Sequence, residues 1–414
     1  MPEIFRRANK ALILEALADT RVVLLMGARQ VGKSTLAQDI VRNDWPATAI
    51  SLDDQPQREA ALTDPESFVA GLRRPVLIDE VQRGGPDLFL AIKSIVDADQ
   101  APGQFLLTGS ANVFRSRRVF DALTGRIDIV RLGPLTQAEI AGVDINFVDR
   151  LFAADPPAIE GAPKAREALA TRLAAGGYPE ARGRSPRRRD RWFQNYVDTT
   201  LERDLKDISQ ARKLNEMPRL LRLVASQVAN LYSSRGISNR MALHHETVED
   251  HVSLLEAIFL VSRILAWTPG IGNREIQHPK IYVSDTGLLL HLLGADEKRL
   301  LTDDQVTGKA LENFIAMEIV RLTESSRESA RVYHYRRDRD EIDLVLENRA
   351  GGICAVEVKA AATIKARDWR ALARLRDARP AAFKCGVVFY TGAQTVSLGD
   401  RLFAVPLSGL WAEK

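Results

Sequence analysis

The chain has 414 residues, 45% hydrophobic and 27% charged. That is the make-up of an ordinary globular protein and excludes a disordered, fibrous or disulfide-stapled chain. The formal net charge of +4 permits a nucleic-acid partner without arguing for one, and no stretch reaches the ~18 consecutive apolar residues of a membrane span. The expectation is a soluble cytoplasmic protein with no membrane partner and roughly two to four domains.

Between Val22 and Pro134, short apolar runs alternate with helical segments. The runs are Val22–Met26, Ala47–Leu52, Pro75–Ile78, Gln104–Leu107 and Ile127–Leu132. Apolar runs of this length without alternation predict buried parallel strands, hence an α/β core. Directly after the first run, Gly27-Ala28-Arg29-Gln30-Val31-Gly32-Lys33-Ser34 fills the phosphate-binding loop pattern completely, with Thr35 next. Gly27 and Gly32 are expected at positive φ, turning backbone N–H groups toward an anion at the start of a helix over Ser34–Val41. Lys33 would reach the β- and γ-phosphates and Ser34 would ligate Mg²⁺.

The third run ends in Asp79-Glu80. Asp79 suits the Mg²⁺ shell, and Glu80 could orient and deprotonate the attacking water. The fourth ends in Thr108-Gly109-Ser110-Ala111-Asn112, so Thr108, Ser110 and Asn112 are candidate γ-phosphate sensors.

Residues 20–140 resemble an AAA+ ATPase. More narrowly, Ile78-Asp79-Glu80-Val81-Gln82-Arg83, Leu107-Thr108-Gly109-Ser110, Leu132-Gly133-Pro134-Leu135 and Gly176-Gly177-Tyr178-Pro179-Glu180 resemble a bacterial and archaeal family. In that family an AAA ATPase core precedes a C-terminal domain of unknown function. The resemblance implies ATP as the nucleotide. It also implies an arginine supplied by a neighbouring subunit of a homo-oligomer. Arg126 is the first candidate, with Arg115, Arg117 and Arg118 as competitors.

Residues 135–215 read as helical and carry the stretch Arg182, Arg184, Arg187, Arg188, Arg189 and Arg191. Residues 216–267 resemble a winged helix-turn-helix, with a short helix Ser238–Leu243, a recognition helix Glu246–Ile258 and a wing starting at Phe259–Trp267. Val248, Val252, Leu255 and Phe259 keep helical spacing. A reader of DNA places basic or amide side chains in the major groove, whereas this helix opens on Glu246, Glu249 and Asp250. A protein contact is therefore favoured there, and any DNA would fall to the arginine stretch. Tyr282-Val283-Ser284-Asp285-Thr286-Gly287 suggests no chemistry beyond Asp285 as a helix N-cap.

In the last hundred residues, Glu312 falls in a helix Ala310–Thr323 and Asp343 in a strand. Glu357 and Lys359 share one face of the strand Cys354–Lys359. The set resembles the restriction-endonuclease-like (PD-(D/E)XK) fold. In that fold Glu312, Asp343 and Glu357 would hold Mg²⁺ and Lys359 would stabilise developing charge. A helix Ile364–Asp377 and two strands complete the order. Cys354 and Cys385 read as small buried strand residues.

The expected architecture is a multi-domain α/β chain. It comprises an ATPase core (1–140), a helical lid or linker (141–215), a winged-helix-like segment (216–267), a connector (268–307) and a restriction-endonuclease-like domain (308–414). Two functions remain open: an ATP-regulated DNA-processing enzyme, or a nucleotide-dependent switch whose nuclease-like domain is silent and whose downstream domains bind a protein or nucleic acid.

Overall fold

The computed structural model describes residues 5–110, 123–161, 166–208, 214–274, 277–338 and 340–412. Strands β1 (Val22–Met26), β2 (Thr48–Ser51), β3 (Val76–Asp79), β4 (Phe105–Gly109) and β5 (Ile127–Arg131) form an all-parallel sheet in the order β2-β3-β4-β1-β5. β1 and β4 are buried at every residue, as strands covered on both faces must be. Their C-terminal ends carry the phosphate loop and Thr108-Gly109-Ser110, and β3 between β2 and β4 ends on Asp79. Strand order thus brings three separated sequence motifs to one edge.

The helix after the phosphate loop is Lys33–Asn43, one residue earlier and two later than expected. Positive φ falls on Gln30 and on Gly32, but not on Gly27. Gly27 is needed for a different reason: a Cβ there would lie 2.0 Å from the Leu132 carbonyl oxygen.

β6 (Val261–Ile264) pairs antiparallel with β7 (Lys280–Val283). The chain turns at Phe259, where φ is +59°, so the strand starts after that residue. The partner of β6 therefore comes from the segment expected to be a mere connector. That segment is core: Tyr282, Val283 and Leu288–Leu290 are buried.

A long helix, Asp304–Glu324, follows. It starts earlier than expected because Asp303 accepts from the N–H groups of Gln305 and Val306. The helix therefore crosses the boundary placed at 308. β8 (Arg331–Arg337), β9 (Asp340–Glu347), β10 (Ile353–Lys359), β11 (Phe383–Tyr390), β12 (Val396–Gly399) and β13 (Leu402–Pro406) make a separate mixed sheet, ordered β12-β13-β11-β10-β9-β8. Three strands, not two, follow the helix Arg370–Ala378. Cys354 and Cys385 are buried, free and directly opposite each other in β10 and β11.

Three sequence motifs meet in one place. Leu135 N–H donates to the Gly177 carbonyl at 2.8 Å, and Gly177 N–H donates to Asp285 Oδ2 at 2.6 Å. Asp285 Oδ1 accepts from Leu288 N–H at 3.0 Å, the expected N-cap bond. Gly176, at φ +65°, has no room for a side chain, since a Cβ would lie 2.4 Å from Asp285 Oδ1. Burial raises the Asp285 pKa, and the Gly177 and Leu288 N–H groups hold it down. Asp285→Ala leaves two buried donors unpaired, which costs about 2–4 kcal/mol. Urea unfolding of Asp285→Ala against wild type checks this, with Asp285→Ser expected to recover only the N-cap share.

Candidate functional site

Lys33 is 4% exposed, and its ammonium donates to the carbonyls of Gly27 (3.0 Å) and Ala28 (2.9 Å). Burial lowers its pKa to about 8, opposed by the charges of Glu80, Asp204 and Asp79. Ser34 Oγ donates to Asp79 Oδ1 at 2.8 Å, and Thr108 Oγ1 donates to the same oxygen. A hydroxyl and a carboxylate thus converge beside the buried ammonium, the donor set that suits Mg²⁺ carried on a polyphosphate. Glu80, at φ +56°, accepts from Ser110 Oγ (3.1 Å) and from the Gln82 amide, while its own N–H donates to Thr108 Oγ1 (3.1 Å). Gln82 also donates to Ser110 Oγ at 2.9 Å. Asn112 lies outside the described residues.

Gly32 and Thr35 open onto a cavity of about 460 Å³ whose apolar walls include Phe5, Leu36, Leu135 and Pro179. Its size and lining suit a base adjoining a phosphate loop. Arg7 fixes the side of this cavity. Its guanidinium donates to the carbonyls of Val31 (2.6 Å) and Gly133 (2.7 Å) and to Glu139 (3.0 Å).

Arg126 is committed within its own chain, with two bonds to Asp97 and one to the Thr124 carbonyl. Arg115, Arg117 and Arg118 lie outside the described residues. A contact that sequence reading missed is Arg29 Nε donating to Asp204 Oδ1 at 2.5 Å. Asp204 is 1% exposed, on the helix Pro186–Ile208. No motif marks it, because the pairing spans 175 residues.

That helix also carries four arginines of the stretch, Arg187, Arg188, Arg189 and Arg191, while Arg182 and Arg184 precede it. Arg187, Arg188 and Arg191 are exposed, whereas Arg189 is buried on Glu297. The helix His245–Ala257 is less acidic in effect than its sequence. Glu249 pairs with Arg263 and accepts from the Tyr232 hydroxyl, leaving Glu246 and Asp250 exposed.

Asp343, Glu357, Lys359 and Glu312 converge. Lys359 Nζ donates to Glu357 Oε1 at 2.6 Å, and Asp343 Oδ2 accepts from Val358 N–H at 2.9 Å. Burial first, then the Asp343 charge, raises Glu312 to about 7 and Glu357 to about 8. A residue absent from the sequence reading sits among them. Lys280 Nζ lies 3.0 Å from Glu312, 2.9 Å from Glu341 and 3.4 Å from Asp343. Burial would lower the Lys280 pKa, but those three carboxylates raise it overall. Stranding one member of such a buried set costs about 3–5 kcal/mol. The residues here do not fit a divalent ion, because an ammonium already holds the carboxylates.

Residues 19–141 match the family described as AAA domain, 166–299 a domain of unknown function (DUF8612) and 307–410 a domain of unknown function (DUF4143). The uncharacterized protein Rv2008c of Mycobacterium tuberculosis is 30% identical over 406 residues, 97% of this chain and 84% of that protein. Mb2031c of Mycobacterium bovis gives the same figures. The chain belongs to this family of AAA-domain proteins with a C-terminal DUF4143 domain. Two solved structures are similar to this chain at low identity and low TM-score. The Thermotoga maritima RuvB Holliday junction branch migration motor is 19% identical, with 64% of this chain and 90% of that one covered, at a TM-score of 0.29. AMPPCP-bound DnaA from Aquifex aeolicus is 16% identical, with 61% and 89% covered, at 0.26. No helix among the described residues is long and apolar enough to cross a membrane.

The Asp204 carboxylate faces the loop where a polyphosphate would lie, and it holds an arginine that could otherwise reach that anion. Asp204→Ala is expected to tighten ATP binding by about tenfold, or ~1.4 kcal/mol, in a fluorescent-nucleotide titration. Asp198→Ala, at an exposed position of the same helix, is expected to leave affinity unchanged.

Proposed function

We propose that this protein is an ATP-hydrolysing, nucleotide-dependent switch whose C-terminal nuclease-like domain is catalytically silent. The observation that carries the ATPase half is the junction of Lys33, Ser34, Asp79 and Glu80 at one sheet edge, with Ser34 and Asp79 2.8 Å apart. Backbone N–H groups of Gly27 to Thr35 cradle the phosphates, and Lys33 neutralises charge on the β- and γ-phosphates. Ser34 and Asp79 would hold Mg²⁺, which would supply further charge neutralisation. Glu80, steadied by Ser110 and Gln82, aligns the attacking water and takes its proton, while Thr108 and Ser110 report the γ-phosphate. Arg126 is a weaker choice for a trans-acting arginine, given its bonds to Asp97.

The switch reading draws support from the contact between the phosphate loop and the helix Pro186–Ile208, since an anion arriving at Arg29 competes with Asp204. Changes in that helix would pass to residues 216–267, a winged-helix-like unit that offers Glu246 and Asp250 to a protein partner. Arg187, Arg188 and Arg191 form the surface for any nucleic acid.

Purified wild-type protein should turn over ATP with Mg²⁺. Lys33→Ala should lose nucleotide binding itself. Glu80→Gln should bind ATP as wild type does and hydrolyse it at least about 10²-fold more slowly. Turnover by Glu80→Gln at the wild-type rate would remove Glu80 as the base.

The second reading is a DNA-processing enzyme, favoured by the convergence of Asp343, Glu357 and Lys359 on adjacent strands. Plasmid DNA incubated with Mg²⁺ or Mn²⁺, with and without ATP, is expected to stay intact. Cleavage that disappears in Lys359→Ala would install the nuclease in place of the silent domain.

A further inference from the structure

We propose that Lys280 takes the place of a divalent cation in the acid cluster of the C-terminal domain. The cluster then acts as a clasp between the β6–β7 ribbon and that domain, and is not a metal centre.

Lys280 is 1% exposed, and its ammonium reaches carboxylates on two elements, Glu312 on the long helix and Glu341 and Asp343 on β9. Two residues along β7, on the same face, Tyr282 donates its hydroxyl to Glu312 Oε1 at 2.9 Å. One strand thus supplies two donors to one carboxylate oxygen. Oxygens of Asp343 and Glu357 are also taken by donors from the chain. Asp343 Oδ2 accepts from Val358 N–H at 2.9 Å, Glu357 Oε1 from Lys359 at 2.6 Å, and Glu357 Oε2 from Asp343 N–H at 3.4 Å. Mg²⁺ needs such oxygens free to ligate at about 2.0–2.1 Å, whereas an ammonium is satisfied by hydrogen-bond distances and directions. Among the described residues, no three acid, His or Cys side chains are disposed to share one metal ion.

The ammonium comes from outside the domain it neutralises. β7 belongs to the two-stranded ribbon, and the chain after β6 runs onto the edge of the six-stranded sheet. There Trp267 N–H donates to the His334 carbonyl (2.6 Å), and His334 N–H donates to the Leu265 carbonyl (2.9 Å). Backbone pairing at β8 and the ion cluster at β9 therefore fasten the same ribbon to the same domain. A metal could enter only if Lys280 left.

The test is Mn²⁺ binding by the EDTA-stripped, nucleotide-free full-length chain, counted from the free-ion electron paramagnetic resonance signal. Working without nucleotide separates the result from the ATPase reading. Wild type and Asp343→Asn are expected to give superimposable titrations. Lys280→Met is expected to gain a Mn²⁺ site that is lost again in the double variant Lys280→Met/Asp343→Asn. Mn²⁺ bound by wild type and lost in Asp343→Asn overturns the proposal. So does a Lys280→Met chain that keeps its circular dichroism spectrum yet gains no site. Should Lys280→Met not fold, the wild-type and Asp343→Asn comparison decides alone.

Discussion

The architecture hangs on one buried carboxylate. Asp285 holds the N–H of Gly177, whose carbonyl in turn holds Leu135, the residue that leads the chain away from the parallel sheet. A carboxyl group with so little access to water is tolerable only when backbone donors replace its hydration. One donor, Leu288 N–H, is local, and the other, Gly177 N–H, lies 108 residues away, so satisfying one side chain ties the start of the second half to Gly177 and, through the Gly177 carbonyl, to Leu135. The long helix Asp304–Glu324 reinforces the joint. Its Glu318 accepts from Gln137 N–H, and its Arg321 donates to the Ser284 carbonyl.

The nucleotide-binding machinery is built into that joint. The loop Gly27–Thr35 touches Arg7 on one side, Leu132 on another and Asp204 above, each from a different part of the chain. An anion arriving at the loop would enter a set of contacts already satisfied internally. Binding must therefore exchange interactions rather than merely add them. In the proposed switch, that exchange would couple a phosphate group to a helix that begins near Glu297 and ends at the loop.

The C-terminal domain follows the same logic with opposite sign. A cluster of acids is stable only with a counter-charge, and the fold provides an ammonium from a neighbouring segment. On the proposed silent-domain reading, the order of elements and the residues at Asp343, Glu357 and Lys359 persist while the chemistry that such a set supports elsewhere is displaced.

Local sequence was enough for whatever depends on local spacing. The phosphate loop, Asp79-Glu80 at a strand end, the five parallel strands, and Glu357 and Lys359 on one strand face were all legible, because strand and helix periodicity assign side chains to faces without reference to distant residues; the expected burial holds for β1, β3 and β4 but not for β2 and β5 on the sheet's edges. Boundaries were read less well. The cap at Asp303 lengthened one helix, the turn at Phe259 shortened a strand, and β7 was missed as the partner of β6. Only the tertiary structure could reveal the role of Gly27 as a site of close approach, the pairing of Arg29 with Asp204, the neutralisation of Glu249 by Arg263 and the presence of Lys280 among the acids. Each of these is a contact between residues that no periodicity relates. Whether a charged side chain is a ligand, a clasp or a solvated surface group depends on which opposite charge the fold brings to it, and that is decided by packing.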